Sequence, residues 1–152
     1  MKTVRLAAAV VLAAAALGGC SAVGTVQTKV VYAASDGARV TLGSTVEGIN
    51  LLVLTSGEGQ PGALVGAVAN RDEQDAVVTI QVEGAAPAEV AVPAKGTVHL
   101  TGEQLVRLDS VPARPGATVP VTISTGAEGS VSLAVPVLDG TLPEYAEVIA
   151  GL

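Results

Sequence analysis

The sequence has no phenylalanine and no tryptophan, and its aromatic residues are limited to Tyr32 and Tyr145. Base-stacking platforms and aromatic cages for ammonium ligands need several aromatic side chains on one surface. Basic residues are also scarce: 8 Lys and Arg are outnumbered by 14 Asp and Glu, and the formal net charge is −6. Surfaces that bind nucleic acid concentrate positive charge. The composition therefore argues against a nucleic-acid partner.

Sulfur and imidazole side chains are almost missing, since Cys20, Met1 and His99 are each the only residue of their type. A single cysteine excludes a disulfide framework within the chain. A transition-metal site takes three or four ligands, usually from His, Cys and carboxylates. Strand alternation places His99 on the solvent side, between the inward positions Val98 and Leu100. We therefore expect no metal site and no catalytic residue, although residue counts alone leave open a Ser-His-Asp triad that no nucleophile motif marks.

The N-terminus is typical of an export signal. Lys2 and Arg5 come before an unbroken apolar run at 6–17, which is shorter than the about 20 residues that span a bilayer. The run ends in Leu-Gly-Gly-Cys at 17–20, which resembles the lipobox of bacterial lipoproteins. The resemblance implies cleavage before Cys20 and a lipid on its thiol, and two or three acyl chains give a stable anchor. The alternative is an ordinary secretory signal with a cysteine left unpaired.

Four segments follow from these signals. We predict a lipoprotein signal peptide at 1–19, an acylated N-terminus and tether at 20–26, a single β-sandwich domain at 27–139 and a separate C-terminal segment at 140–152. Seven extended residues after the anchor reach at most about 25 Å. The domain is therefore expected close to the cell membrane, on its outer face. No cofactor is expected beyond the covalent lipid on Cys20.

Short apolar runs with period-two alternation fill the predicted domain. The clearest lies at 77–83, where Val78, Ile80 and Val82 share one face. The alanine content of 63–69 would also suit a helix, but its valines and glycine favour a strand. Many short strands without long helical stretches indicate an all-β protein with an antiparallel sandwich. The predicted strands are 27–33, 39–42, 49–54, 63–69, 77–83, 89–92, 97–100, 105–111, 118–124 and 131–137.

The C-terminal segment departs from the strand pattern. Thr141 to Glu144 has the form of a capping box, with Pro143 in the first turn, and predicts a short helix. An apolar stripe follows at i, i+3, i+4 and i+7, formed by Tyr145, Val148, Ile149 and Leu152. This stripe is a candidate partner-binding site, because tyrosine is enriched at interface hot spots and helices often bind in grooves. The competing interpretation, which we favour, is that the stripe packs on the protein's own sandwich, because a helix this short needs that support for stability.

Two other motifs suggest ligands. The run 57–62 matches the dinucleotide fingerprint G-x-G-x-x-G, which requires that its last glycine begin a helix. Here it leads into a predicted strand, so we predict a loop. The acidic run 72–75 lacks the length, the glycine and the closing glutamate of an EF-hand. We predict a solvated hairpin turn over 70–75, with weak adventitious cation binding at most.

Five stretches together resemble a known family, the PCuAC domain of periplasmic copper chaperones, and more closely the LpqE-type lipoproteins of mycobacteria and their relatives. The stretches are 40–54, 64–70 with the acidic turn after it, 92–98, 115–122 and 129–137. The resemblance implies an immunoglobulin-like or cupredoxin-like antiparallel sandwich. It also implies a Cu(I) site of two His and two Met, one pair of which is arranged as His-x-Met. In this sequence Gln104 and Val106 occupy that pair, and neither can supply such a ligand.

We therefore expect a non-enzymatic, lipid-anchored accessory or interaction protein of the cell envelope. The resemblance implies a respiratory membrane complex as its neighbour, because the relatives supply copper to terminal oxidases. The alternative is a PCuAC-like metallochaperone with a degenerate or weak copper site. A hydrolase with an unrecognised site ranks last.

The anchor can be tested directly. Replacing Cys20 with alanine should leave the protein unprocessed or release it into the soluble fraction, because the thiol that accepts the lipid is gone. Membrane fractionation and the intact mass of the mature protein measure both effects. A mature N-terminus other than Cys20, without a lipid adduct, would contradict the prediction.

Overall fold

The computed structural model describes residues 36–152, so Cys20, the tether and the strand predicted at 27–33 lie outside the described residues. The described chain forms nine strands and one short C-terminal helix, which confirms the predicted all-β class. In chain order the elements are β1 (Ala38–Leu42), β2 (Val46–Thr55), β3 (Gly62–Asn70), β4 (Ala76–Val82), β5 (Ala88–Val92), β6 (Thr97–His99), β7 (Val106–Leu108), β8 (Thr118–Thr125), β9 (Gly129–Leu138) and α1 (Pro143–Ala150).

The strands form the two layers of a sandwich. In the first layer β2 pairs antiparallel with β1 and β3, and β6 and β7 pair in succession with the other edge of β3. In the second layer β5, β4, β8 and β9 are consecutive antiparallel neighbours. A short parallel pairing of Val53 with Val137 and of Leu54 with Leu138 joins the layers. One hydrogen-bonded path therefore includes both layers, and the sandwich is nearly closed.

The main core lies between the layers and contains Val, Leu and Ile side chains. The predicted alternation in β4 is confirmed, because Val78, Ile80 and Val82 are buried while Val77 is exposed. The same alternation in β8 buries Val119, Val121 and Ile123. β-Branched side chains suit such half-buried strands, so a core without large aromatic residues is compatible with this fold.

The strand predicted at 105–111 is shorter in the structure. β7 ends at Leu108, and Val111, although fully buried, lies in the loop that follows. Its backbone N–H donates to the Gln60 carbonyl at 2.9 Å, and its carbonyl accepts the N–H of Gly59 at 2.8 Å. The apolar residue at 111 therefore anchors a loop and does not extend a strand.

The prediction of a hairpin turn at 70–75 is also wrong. β3 and β4 belong to different layers and do not pair, so the loop between them crosses from one layer to the other. The turn residues are those that a hairpin would use, and only the pairing of the flanking strands separates the two cases.

β2 changes which side chains face the core at Asn50. Val46 and Leu51 both belong to the main core although five positions separate them, whereas uninterrupted alternation would put them on opposite faces. The register against β3 shifts between Ile49 and Leu52, which marks a β-bulge. After the bulge, Leu52 and Leu54 face outward.

The bulge has specific backbone requirements. Asn50 has φ of 51° and the facing Gly66 has φ of 130°, both in the region that L side chains rarely adopt. A Cβ at Gly66 would lie 2.6 Å from the Asn50 carbonyl oxygen, so only glycine fits there. The Asn50 side chain accepts a hydrogen bond from the Gly37 N–H at 2.8 Å. Asn50 therefore both forms the bulge and holds the start of the described chain.

A second, smaller core covers the outer face of β2 and β3. There Leu52 and Leu54 are almost fully buried beneath α1. Further apolar side chains that surround them are Val65, Leu105, Leu138, Tyr145, Val148 and Ile149. β2 is thus buried on both faces, which explains its apolar run without alternation at 51–54.

The start of α1 differs from the predicted capping box. Leu142 is the N-cap and Pro143 the first helical residue, and no side chain caps the helix. Thr141 lies one position before the N-cap, and its N–H and hydroxyl donate to Asp139 at 2.9 and 2.6 Å. The Arg107 guanidinium donates to the carbonyl of Gly151 at 2.8 Å and supports the end of the helix.

Two substitutions test the bulge. Asn50→Val should destabilise the protein by about 2 to 4 kcal/mol, because a β-branched residue is strained at positive φ and the bond to Gly37 is lost. Asn50→Gly loses the same bond without the strain and should cost only about 1 kcal/mol. Urea unfolding compares the two variants with the natural protein. A valine variant as stable as the glycine variant would show that positive φ at this position is not required.

Candidate functional site

The two positions that the sequence resemblance assigns to a His-x-Met copper pair lie in the link between β6 and β7 and at the start of β7. Gln104 is exposed at the end of a single 3₁₀ turn, whereas Val106 is buried in β7 as part of the main core. His99 is exposed on β6, opposite Ala67, as its alternation predicts. Within residues 36–152 no group of three or more His, Cys, Asp and Glu side chains is placed to hold a metal ion.

The glycine-rich run 57–62 forms the loop between β2 and β3, as predicted. Its last glycine is the first residue of β3 and does not begin a helix. The Thr55 hydroxyl lies in this loop, 3.0 Å from the Gly57 carbonyl and 2.8 Å from the Pro61 carbonyl. Buried Thr55 therefore organises the loop through hydrogen bonds inside the protein, and the helix N-terminus that a pyrophosphate needs is not formed here.

A polar cavity of about 460 Å³ lies beside the acidic loop, at the end of the sandwich where β2 begins. Its carboxylates hold neighbouring loops: Asp75 accepts the Ala94 N–H at 2.8 Å, and Glu128 accepts the Thr45 hydroxyl at 2.8 Å. The buried Asn70 amide donates to the backbone carbonyl of Gln74 at 2.7 Å. These contacts give the lining groups a structural role in fixing the loops.

The four residues of the predicted partner-binding stripe do not share one environment in the structure. Tyr145, Val148 and Ile149 face the second core and pack against the outer side of β2 and β3. Leu152 lies beyond the helix and is 37% exposed. This arrangement agrees with the competing interpretation, in which the stripe serves the protein's own packing. Binding of a partner by the exposed parts of these residues stays a prediction.

A groove lies where the chain leaves β9 and enters α1. We call it the helix-entry groove; it encloses about 340 Å³ and is lined by Asp36, Leu138, Asp139, Thr141, Leu142 and Tyr145. Leu142 is 42% exposed there. The helical period did not identify Leu142, because it precedes the first helical residue. The signal that could have found it is an apolar residue directly before a helix-starting proline.

Negative charge surrounds this groove. The pKa of Asp139 is lowered by hydrogen bonds from the Thr141 hydroxyl and backbone N–H, so this carboxylate stays ionised at neutral pH. The pKa of Tyr145 is raised by burial and by the charge of Asp36, whose carboxylate accepts the tyrosine hydroxyl at 3.3 Å. None of the six lining residues is basic. The groove is thus lined by the apolar side chains of Leu138, Leu142 and Tyr145, which we call its floor, and by the exposed carboxylates of Asp36 and Asp139, which we call its rim.

Comparison with known proteins identifies the fold. No protein-family model and no curated protein matches this chain. The apo PCuAC domain from PmoF1 matches 66% of this chain and 98% of that domain, with a TM-score of 0.55 and 16% identity. The copper-bound PCuAC domain from PmoF2 matches 67% of this chain and 98% of that domain, with a TM-score of 0.53 and 16% identity. The predicted PCuAC-like fold is confirmed by these structures, whereas the LpqE-type assignment stays a resemblance of sequence.

Because Gln104 and Val106 stand where the resemblance assigns copper ligands, we predict that the protein does not bind Cu(I) tightly. Protein purified with its lipid in place should not compete with a Cu(I) chelator, because amide and alkyl side chains at 104 and 106 are poor ligands for a soft ion. Gln104→His should not compete either, since one added ligand does not complete a site. Chelator titration followed by absorbance measures this, and a stoichiometric, tight complex of the natural protein would contradict it.

Proposed function

We propose that this protein is a non-enzymatic accessory domain, anchored by lipid on Cys20 to the outer face of the cell membrane, that binds a membrane-associated protein. The observation that carries the proposal is the PCuAC-like sandwich. The resemblance of sequence supports it further, because it puts Gln104 and Val106 where the family has its His-x-Met pair. A fold can be kept while its chemistry is replaced. What such a domain retains is a stable scaffold with surfaces for binding.

The composition of the described domain supports a protein partner. Residues 36–152 contain all 14 acidic residues and five of the eight basic ones, a formal net charge of −9. That charge opposes direct binding to anionic lipid headgroups or to nucleic acid. In the proposed role, the lipid holds the domain near the bilayer and the contact itself is made with protein, such as a subunit of a respiratory complex.

A second candidate function is copper handling, and the likeness to the copper-bound PCuAC domain from PmoF2 favours it. In this candidate His99 would need ligands from outside the described residues or from a partner. His99 is exposed on the short edge strand β6, where a partner could reach it. A single imidazole gives weak and unselective binding, so we rank this candidate second.

Retrieval of partners from membranes tests the accessory role. The full chain, crosslinked in cells and purified from detergent-solubilised membranes, should retrieve the same membrane protein reproducibly. The matched control is residues 1–35 fused to an unrelated soluble domain, which keeps the predicted anchor and lacks the sandwich. Quantitative mass spectrometry compares the two samples. If the control retrieves the same proteins, or the full chain retrieves none above background, the accessory role is wrong.

A further inference from the structure

We propose that the helix-entry groove binds a partner segment in which a branched aliphatic side chain lies next to a lysine or arginine. This inference rests on the proposed accessory role and adds the chemistry of the partner. It follows from three properties of the groove, namely its apolar floor, its acidic rim and its fixed geometry.

The apolar floor is formed by Leu138, Leu142 and Tyr145. Among residues 36–152 only three large hydrophobic side chains are classed as exposed, and Leu142 is one of them. Val77, another, lies on the outer face of β4, away from this floor. An exposed leucine beside a cavity of about 340 Å³ gives an aliphatic side chain of a partner both a hollow to fill and apolar surface to cover.

The acidic rim determines the charge of the occupant. The carboxylates of Asp36 and Asp139 line the groove, and Glu144 adds to the negative charge that raises the pKa of Tyr145. A lysine or arginine next to the aliphatic residue would meet these carboxylates at the rim, where such pairs improve specificity and association rate. A second copy of this domain would bring another −9 charge to the interface and is disfavoured.

The walls of the groove are held in place before anything binds. The side chain of Asp139 accepts two hydrogen bonds from Thr141, and Pro143 fixes the direction in which the helix starts. Tyr145 packs on the second core and donates its hydroxyl to Asp36. A preformed site loses little conformational entropy on binding, so a short peptide segment can bind there with useful affinity.

Peptide selection tests the chemistry. A phage-displayed library of random peptides is selected on the full chain in detergent, and we expect enrichment of sequences with Lys or Arg beside Leu, Ile or Val. For the most enriched peptide, fluorescence anisotropy should show binding weakened about tenfold by Leu142→Ser, which removes the exposed floor. Asp139→Asn should weaken binding about threefold, and added salt should reduce that difference.

The matched control is Val77→Ser, which removes an exposed aliphatic side chain on β4, outside the groove, and should leave peptide binding unchanged. Equal loss in both serine variants, or enrichment of acidic or uncharged peptides, would overturn the inference. So would competition by a synthetic peptide of residues 27–33, or a concentration-dependent dimer that Leu142→Ser abolishes, because the occupant would then be this chain itself. If Leu142→Ser still retrieves the membrane partner as well as the natural protein does, the groove is wrong and the accessory role stands.

Discussion

The register shift at Asn50 is the constraint on which the rest of the structure depends. A strand in a sandwich normally buries one face. β2 instead contributes to two cores, and the shift decides which of its apolar side chains belong to each core. Before the bulge the inward side chains close the main core, and after it Leu52 and Leu54 form an apolar platform on the outside. Without that platform a helix as short as α1 would have no tertiary support.

The pairing of β9 with β2 also determines where the chain goes after the last strand. The parallel pairing of β9 with β2 brings Leu138 beside Leu54, at the edge of the platform. The chain then turns at Asp139, and α1 packs back over β2 and β3, where Arg107 binds the carbonyl of Gly151. The helix-entry groove is the space left at this turn. The site therefore follows from the sheet topology, with side chains that the turn and the helix start require.

Local patterns predicted the elements where one rule acts alone. Alternation located β4 and β8 because each buries a single face, and the proline at 143 located the helix start. Prediction failed where the same residue type suits two different structural roles. Val111 has the pattern of a strand residue and instead anchors a loop. Thr141 has the pattern of a helix cap and instead donates hydrogen bonds to Asp139. Such outcomes depend on neighbours distant in sequence, which a local pattern does not contain.

Positions 104 and 106 differ in whether packing in the core restricts the residue that they carry. Val106 is buried in the main core, so its identity is set by packing, while Gln104 is exposed and free of that demand. The two positions that the sequence resemblance assigns to a copper pair therefore serve packing at 106 and are solvent-exposed at 104. In the accessory role that we propose, selection would act on exposed residues that contribute little to the stability of the folded domain. Leu142 is such a residue. An exposed leucine among carboxylates gives the folded domain little stability, so the role in binding that we propose for Leu142 does not compete with a role in the core.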